Sequence, residues 1–379
     1  MSARFLTAVS GRAFNMRDRF GREIDYMRIS VIDSCNLNCY YCNPQDNNKN
    51  CQAINTLSVK KVLCIVRAST RLGITHFRLT GGEPLLHPQI NEMVSQIKKI
   101  PGVRSVSLTT NAVLLAQHAK QLKEAGIDSI NVSLDTIDAS EYEHITKKPL
   151  LDKVEHGIDA AIECGIRVKI NVVLTPQTDV VALTRYASKK GTDIRFIEMM
   201  PVGEGHTNGV EPYKKVIGTL SELYGEPYRV NTGKTKEINS GYNKYKEERK
   251  NPDNGPAEYY SFHGLDIRVG LIQAIHGKFC DTCNRIRVTA DGRLMPCLGS
   301  SMTMDLVPDS CEFTGDLEKD FVIVQALKAA IKAKPGCHNF NDNAVTYTKT
   351  TETKTMEIKT TELKAAEVNA ARNMSRIGG

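Results

Sequence analysis

The sequence predicts an α/β protein, an incomplete (β/α)6 TIM-type barrel followed by a smaller C-terminal module. Three observations predict this fold. From Arg28 onward, short strand-like runs alternate with helical segments, a pattern typical of a parallel sheet with helices outside it. Each strand-like run has one polar and one apolar face, as expected for side chains that alternate along a strand. After Met200 the alternation stops, so a second module begins.

The predicted strands and helices follow one another through the first half of the chain. Strands are expected at 27–32, 74–80, 103–109, 127–134, 166–173 and 193–198, from their β-branched and alternating residues. Helices are expected at 57–72, 88–99, 112–125, 151–164 and 179–190. Glycines at or just after the helix ends serve as C-cap signals, and they are Gly73, Gly126, Gly165 and Gly191.

Polar residues share one face of the predicted strands. They are Arg78 and Thr80, then Ser105, Ser107 and Thr109, then Asn131, Ser133 and Asp135, and then Lys169 and Asn171. A closed eight-stranded barrel fills its interior with branched apolar side chains, so a polar interior predicts a lumen that holds a polar ligand. The alternative is an open sheet with a solvated face, which fits repeated parallel crossovers poorly because all-parallel sheets are normally covered on both faces.

The rest of the chain divides by composition. Residues 231–254 are polar and predict a loop or insertion, strand-like order returns at 265–275, and 317–334 predicts a helix. Residues 346–364 are dominated by Thr, Lys and Glu and predict a linker, because they hold too few apolar residues to fold alone. The expected units are an N-terminal extension at 1–17, the partial barrel at 18–212, the C-terminal module at 213–340, a flexible linker at 341–366 and a tail at 367–379.

Composition limits the partners and the compartment. The formal charge of +7 is spread along the 379 residues, so it favours nucleic acid only weakly, and no apolar run is long enough to cross a bilayer. Eleven cysteines without a secretory signal fit a reducing compartment and metal ligation. We therefore expect a cytoplasmic protein without nucleic-acid or membrane partners. Residues 1–17, basic and without acids, suggest a mitochondrial location if the host is eukaryotic, although a plain extension is the favoured interpretation.

A triad of cysteines follows the first predicted strand. It consists of Cys35, Cys39 and Cys42. Thiolates this close on one loop can converge on a soft metal centre, and three of them leave a coordination position for something other than protein. A structural zinc site needs a fourth ligand, and the near candidate is Cys51. The first triad therefore predicts chemistry, with a zinc knuckle as the alternative.

A second triad lies in the C-terminal module. It consists of Cys280, Cys283 and Cys297. The dipeptide Asp291-Gly292 predicts a hairpin turn that brings Cys297 back beside the other two. Either Cys311 or Cys337 could close a structural zinc or iron-sulfur site, so a purely structural role stays open at this point.

Four sequence features resemble one enzyme family. The first triad, with Tyr41 before its last cysteine, and Thr80-Gly81-Gly82-Glu83-Pro84 resemble the radical S-adenosylmethionine (SAM) superfamily. The Cys-Asn-Arg-x-Arg element at 283–287 and the terminal Gly-Gly resemble, within it, the GTP 3',8-cyclase family. The resemblance extends from about Phe20 to the end of the chain, outside the N-terminal extension and the linker.

The resemblance implies ligands for particular residues. The first triad would hold a 4Fe-4S cluster that binds SAM, and the matching SAM contacts are Tyr41, Gly82, Ser133 and Met200. The second triad would hold a second 4Fe-4S cluster that binds guanine. The matching GTP contacts are Arg28, Arg78, Thr109, Lys169, Arg285, Ile286 and Arg287. Independently of the resemblance, Arg285 and Arg287 lie at i and i+2 of a strand and so share one face; a surface arginine is otherwise usually a solvated ion pair.

The resemblance also implies a reaction and partners. A 5'-deoxyadenosyl radical would remove the 3' hydrogen of GTP, and ring closure at C8 would give 3',8-cyclo-7,8-dihydro-GTP, the first step of molybdenum cofactor biosynthesis. Gly378 and Gly379 would enter the active site and take part in catalysis; a frayed terminus is the alternative. Implied partners are a reductase or a flavodoxin- or ferredoxin-type electron donor, the downstream cyclic pyranopterin monophosphate synthase and a possible second copy of the chain in a homodimer.

Two other functions remain open from the sequence. The first is another radical SAM enzyme with two clusters that acts on a peptide, and removal of the terminal Gly-Gly would discriminate it. The second is a metal-binding protein without enzymatic activity, which the SAM-type Gly-Gly-Glu-Pro element disfavours and which the colour of anaerobically purified protein would test.

Overall fold

A computed structural model describes the two predicted modules with several gaps. The described residues are 16–42, 54–202, 209–230, 255–300, 302–306, 317–338 and 340. The predictions for the N-terminal extension before residue 16, the linker and the terminal Gly-Gly lie outside these residues, as do Cys51 and Cys311.

Twelve strands form one continuous sheet in the described part of the chain. They are β1 (Tyr26–Ser30), β2 (His76–Thr80), β3 (Ser105–Thr110), β4 (Ser129–Ser133), β5 (Arg167–Val173), β6 (Asp193–Ile197), β7 (Tyr228–Val230), β8 (Glu258–Ser261), β9 (Val269–Ile272), β10 (Arg285–Val288), β11 (Arg293–Met295) and β12 (Met304–Asp305). Their order across the sheet is β12-β11-β10-β1-β2-β3-β4-β5-β6-β9-β8-β7.

The six predicted strands form the parallel centre of this sheet. Each of β1 to β6 pairs in parallel with the next, β10 pairs in parallel with β1, and β9 pairs in parallel with β6. The outer strands are antiparallel. The sheet ends at β12 and β7 instead of closing on itself, which confirms the incomplete barrel. The sequence did not predict that strands of the C-terminal module would extend the barrel sheet at both edges.

Eight α-helices connect or flank the described strands. They are α1 (Val59–Thr70), α2 (Ile90–Lys98), α3 (Leu115–Glu124), α4 (Ala139–Thr146), α5 (Leu151–Glu163), α6 (Val180–Lys189), α7 (Thr219–Tyr224) and α8 (Leu317–Ala333). The four glycines predicted as C-cap signals all have positive φ, the conformation that a glycine adopts without a steric penalty. No helix in the described residues is long and apolar enough to cross a membrane.

Alternation along the strands separates the core from the interior of the barrel. On β2, Phe77 and Leu79 are fully buried in the hydrophobic core, whereas Arg78 and Thr80 face a cavity. Burying each such apolar side chain contributes about 1.5–3 kcal/mol. Helices therefore cover the apolar face of the sheet, and the polar face encloses the cavity, as the sequence predicted.

Candidate active site

One cavity brings together the two cysteine triads and the polar faces of the strands. Its lining includes all six cysteines of the triads and residues of β1 to β6, β9 and β10. A flat sheet could not direct side chains of so many strands into one space, so the sheet curves around it. The cavity is the candidate active site.

Main-chain hydrogen bonds hold the loop of the first triad against helix α4. The Asn38 N–H donates to the Thr146 carbonyl at 3.0 Å, and the Tyr40 N–H donates to the Ile145 carbonyl at 3.2 Å. Helix α4 was not predicted from the apolar periodicity of the sequence. Its N-cap Asp138, whose side chain accepts from the Glu141 N–H, is a start signal that could have identified it.

The Gly-Gly pair after β2 packs against the same loop. A Cβ atom at Gly81 would lie 2.4 Å from the Ile32 carbonyl oxygen, and one at Gly82 would lie 2.2 Å from the Ser34 oxygen. The Gly82 N–H donates to the Ile32 oxygen at 2.8 Å. Only glycine permits so close an approach, so this pair fixes the strand against the first triad.

Glu83 links that element to the end of β3. Its buried carboxylate accepts hydrogen bonds from the Leu85 N–H at 2.9 Å, the Thr110 hydroxyl at 2.7 Å and the Asn111 N–H at 2.7 Å. Burial raises the pKa of Glu83 to about 7, because a charged carboxylate is costly away from water. Asn111 in turn donates to Asn36 at 2.7 Å, beside the first cysteine.

Tyr41, between two cysteines of the first triad, is fixed by Asp135. Its hydroxyl donates to one carboxylate oxygen of Asp135, while the other oxygen accepts from the Val173 N–H at 2.8 Å. Burial raises the pKa of Asp135 to about 6. This carboxylate therefore joins the triad loop to the ends of β4 and β5.

The thiols of the first triad fit ligation by a metal cluster. Burial by the surrounding protein raises the pKa of both Cys35 and Cys42 to about 11 and raises that of Cys39 further, although Cys35 opens towards the cavity. None of the three is in a disulfide. Thiols that are neutral on their own need a cation to become thiolates. All three cysteines line the same cavity.

The second triad lies on the predicted hairpin. Strands β10 and β11 pair antiparallel, with Arg287 opposite Met295, and Cys297 returns to the cavity that Cys280 and Cys283 also line. Burial raises the pKa of the Cys283 thiol, but the positive charges of Arg285 and Lys334 outweigh it and lower the pKa to about 7. The hairpin prediction is confirmed, and this triad has a positive environment that the first triad lacks.

A row of arginines crosses the cavity between the triads. In the sheet register, Arg28 lies between Arg78 and Arg287, and Arg285 points to the same side. Burial, and then the neighbouring arginines, lower the pKa of Arg28 well below its usual value, and burial lowers that of Arg287 to about 10. Like charges held together in a protein favour a polyanionic ligand, which guanidinium groups bind by paired hydrogen bonds.

Most of the predicted site residues line this cavity. Besides the two triads, they are Arg28, Tyr41, Arg78, Gly82, Thr109, Ser133, Met200, Arg285 and Arg287.

Two predicted GTP contacts are fully buried. Ile286 is fully buried in the hydrophobic core, because it faces away from its neighbours Arg285 and Arg287 on β10; its side chain is not placed to contact a ligand. Lys169 is also fully buried, opposite Asp193 in the pairing of β5 with β6.

Two cavity residues that were given no role from the sequence make a defined contact. The Arg195 Nε donates to the Asn171 side-chain oxygen at 2.8 Å, and both residues line the cavity. Asn171 was predicted to point inward but was assigned no role. Arg195 occupies the inward-facing middle position of β6, so extending the strand alternation to β6 would have identified it.

The fold and the site define the class of protein. The family model of the radical SAM superfamily matches residues 29–183, and the model described as Molybdenum Cofactor Synthesis C matches residues 192–340. The Streptococcus suis SuiB structure bound to S-adenosylmethionine has a TM-score of 0.55 and 14% identity, covering 82% of this chain and 68% of SuiB. The chain has a radical SAM core.

Sequence relatives define the family within that class. A GTP 3',8-cyclase of Clostridium perfringens (strain SM101) is 36% identical over 330 residues, which cover 86% of this chain and 95% of the relative. One of Thermodesulfovibrio yellowstonii is 38% identical over 296 residues, 77% of this chain and 87% of the relative. The chain belongs to the GTP 3',8-cyclase family.

Proposed function

We propose that this protein is a GTP 3',8-cyclase, which converts GTP to 3',8-cyclo-7,8-dihydro-GTP in the first step of molybdenum cofactor biosynthesis. The observation that carries the proposal is the single cavity that places a row of arginines between two cysteine triads. Membership of the family supplies the reaction and the substrate.

The first triad would hold the 4Fe-4S cluster, and the cavity beside it would hold SAM. When bound, these two groups supply a reductively generated 5'-deoxyadenosyl radical, which is chemistry that side chains cannot perform. The protein positions them: Asp135 fixes Tyr41, and the Gly-Gly pair fixes Gly82 against the triad loop. Ser133 and Met200 line the same cavity and complete the proposed SAM contacts.

The arginine row would bind the triphosphate of GTP. Arg28, Arg78 and Arg287 are adjacent in the sheet, and several cations are needed because each guanidinium pairs with only one or two oxygens. Thr109, also on the cavity wall, adds a hydroxyl. Holding the triphosphate in this row orients the ribose within the cavity, and such orientation lowers the entropic part of the barrier.

The second triad would hold a second 4Fe-4S cluster close to the guanine base. The positive charges of Arg285 and Lys334, which lower the pKa of Cys283 to about 7 in spite of burial, would favour the negative charge of a cluster bound through thiolates. Gly378 and Gly379, which lie outside the described residues, are proposed to reach the cavity and take part in catalysis, since two residues without side chains can enter a narrow space.

The remaining proposals concern partners, compartment and domain division. A reductase or a flavodoxin- or ferredoxin-type donor would supply electrons, the cyclic pyranopterin monophosphate synthase would consume the product, and a second copy could complete a homodimer. The nine described cysteines are all free, which supports a reducing, cytoplasmic compartment, or a mitochondrial one in a eukaryote. We retain the division of the chain at 18–212 and 213–340 as part of this proposal.

The test is anaerobic turnover of the full-length, iron-sulfur-reconstituted protein with SAM, a strong reductant and one nucleoside triphosphate at a time. We expect 5'-deoxyadenosine together with a cyclised nucleotide from GTP alone. Cleavage of SAM with every nucleotide left intact would contradict the substrate and favour a peptide instead. Protein that takes up zinc but no iron would contradict the radical chemistry itself.

A further inference from the structure

A buried lysine lies behind the second triad. Lys334 follows directly after helix α8 and is only 2% exposed. Its ammonium group donates to the Arg285 carbonyl at 2.7 Å and to the Pro296 carbonyl at 2.9 Å. Lys334 lines the same cavity as Cys283 and Cys297. The two carbonyl oxygens occupy two of the three N–H donors of the ammonium group.

The partners of Lys334 belong to both arms of the cysteine hairpin. Arg285 opens β10, two residues after Cys283, and Pro296 directly precedes Cys297. One side chain therefore connects the segment of Cys283, the segment of Cys297 and the end of α8. A shift of Lys334 would be transmitted to two of the three cysteines.

The ammonium group has a charge that its hydrogen-bond partners do not neutralise. Within the described residues, those partners are two carbonyl oxygens, not a carboxylate. A buried charge is costly unless an opposite charge lies close to it. Cys283 and Cys297, which line the same cavity as Lys334, become negatively charged when they ligate a metal cluster. The position therefore suits a lysine whose negative partner is the metal cluster that the second triad would bind.

We propose that Lys334 is a positioning residue of the second triad, where its fixed positive charge stabilises the reduced state of the bound 4Fe-4S cluster. This inference rests on the second cluster of the proposed function. Net charge and hydrogen bonds to the sulfur atoms are among the factors that set the reduction potential of such a cluster. Because reduction adds a negative charge, a buried cation beside the thiolates makes the reduced form more favourable and raises the potential.

The experiment compares three full-length, reconstituted variants with the parent in an anaerobic redox titration followed by EPR. Lys334→Met keeps the length of the side chain and removes the charge, and Lys334→Arg keeps the charge. Lys332→Met changes an exposed lysine of α8 and is the matched control. A full-length protein with alanine at Cys35, Cys39 and Cys42 assigns the signal of the second cluster, and iron content per chain is measured for each sample.

We expect Lys334→Met to lower the equilibrium constant for one-electron reduction of the second cluster at least tenfold. This corresponds to a reduction potential that is more negative by about 59 mV or more. Lys334→Arg and Lys332→Met are expected to stay close to the parent. An unchanged potential in Lys334→Met would overturn the inference. Equal loss of iron from Lys334→Met and Lys334→Arg would also overturn it, because packing and not charge would then be responsible.

The iron content separates this inference from the proposed function. If the parent protein contains iron for one cluster only, the second cluster does not form, and the proposed role of Lys334 is rejected together with it. A parent with iron for two clusters, combined with an unaffected Lys334→Met potential, would leave the proposed function intact and reject only the role of Lys334.

Discussion

At the residue scale, Arg287 combines a position in the arginine row with burial. It is 8% exposed, and its Nη1 has no hydrogen-bond partner among the described residues. Arg293, on the next strand, is 42% exposed at its side chain and pairs with Asp305 at 3.0 Å. The two arginines belong to one hairpin but differ in surroundings, which makes them a matched pair for mutation.

Replacing Arg287 by Met is expected to raise the KM for GTP by about 10- to 100-fold, since a hydrogen bond to a charged group contributes about 1.5–3 kcal/mol. Steady-state assays of the cyclised nucleotide measure this effect, while 5'-deoxyadenosine formed without GTP should be unchanged. Arg293→Met is the control and should leave the KM near that of the parent. A normal KM in Arg287→Met would exclude this arginine from the triphosphate site.

Glu83 gives the fold a dependence on pH. Burial raises its folded-state pKa from 4.5 to about 7, so the folded chain holds the proton more tightly than the unfolded chain. The stability that this proton contributes is complete below about pH 4.5 and is lost as the pH rises through about 7. The full shift corresponds to about 3 kcal/mol.

Substituting Glu83 by Gln removes this titration. The free energy of unfolding of Glu83→Gln should therefore rise relative to that of the parent as the pH increases from about 4.5 to 7, because only the parent loses stability over this range. Denaturant unfolding of cluster-free protein under reducing conditions measures the difference. Glu92→Gln, on the exposed side of α2, serves as the control, and a relative stability of Glu83→Gln that stays constant with pH would refute the prediction.

At the element scale, helix α4 supports the first triad and ends in a strained residue. Its C-cap Lys147 is exposed and has a φ of 61°, a left-handed conformation that favours glycine. Lys147→Gly should therefore stabilise the fold by about 0.5–1 kcal/mol, measured by denaturant unfolding. Lys147→Ala keeps the strain and should not be stabilised; an equal gain in both variants would show that the backbone conformation is not the cause.

The elements that the sequence predicted are those with local signals. Alternation identified the inward face of β2 to β5, and Asp291-Gly292 identified the hairpin of the second triad. Helix α4 was missed because its eight residues carry little apolar periodicity, and its signal was a capping side chain instead. The pairing of β10 with β1 and of β9 with β6 could not be predicted, since nothing within a strand specifies a partner so distant in the chain.

Within the site, the sequence predicted the family of enzyme better than it predicted the positions of individual side chains. Strand alternation alone would have excluded Ile286 from the cavity, because it follows Arg285 by one position and must face the core. Lys169 shares a face with the inward residues and lies level with Asn131, which lines the cavity, but its side chain is fully buried. How far a side chain is covered depends on the packing around it, which local patterns do not contain.

At the scale of the whole molecule, Arg22 joins the two ends of the described chain. It forms a buried ion pair with Asp18 at 2.6 Å and donates to the carbonyls of Cys280, Pro335 and Gly336 at 2.7, 2.6 and 3.0 Å. The segment before β1 is thereby fixed to a cysteine of the second triad and to the chain after α8.

Arg22→Met should destabilise the fold by about 3–5 kcal/mol, because it leaves the Asp18 carboxylate buried without its partner. Arg17 forms an ion pair with Glu23 at 2.9 Å in the same segment, with side chains that are 64% and 48% exposed. Arg17→Met should therefore cost no more than about 1 kcal/mol. Chemical denaturation of both variants measures the contrast, and similar losses in the two would contradict the buried network.

The pairing of β1 with β10 also has a consequence for the synthesis of this polypeptide on the ribosome. Tyr26 lies opposite Arg285, so at about 5–20 residues per second the ribosome needs roughly 10–50 s to deliver the partner of β1. Until then the nascent chain presents the unpaired N–H and C=O groups of a parallel edge, which are a template for wrong association. Translation that stops short of residue 285 therefore yields polypeptides with an aggregation-prone edge that the finished protein covers.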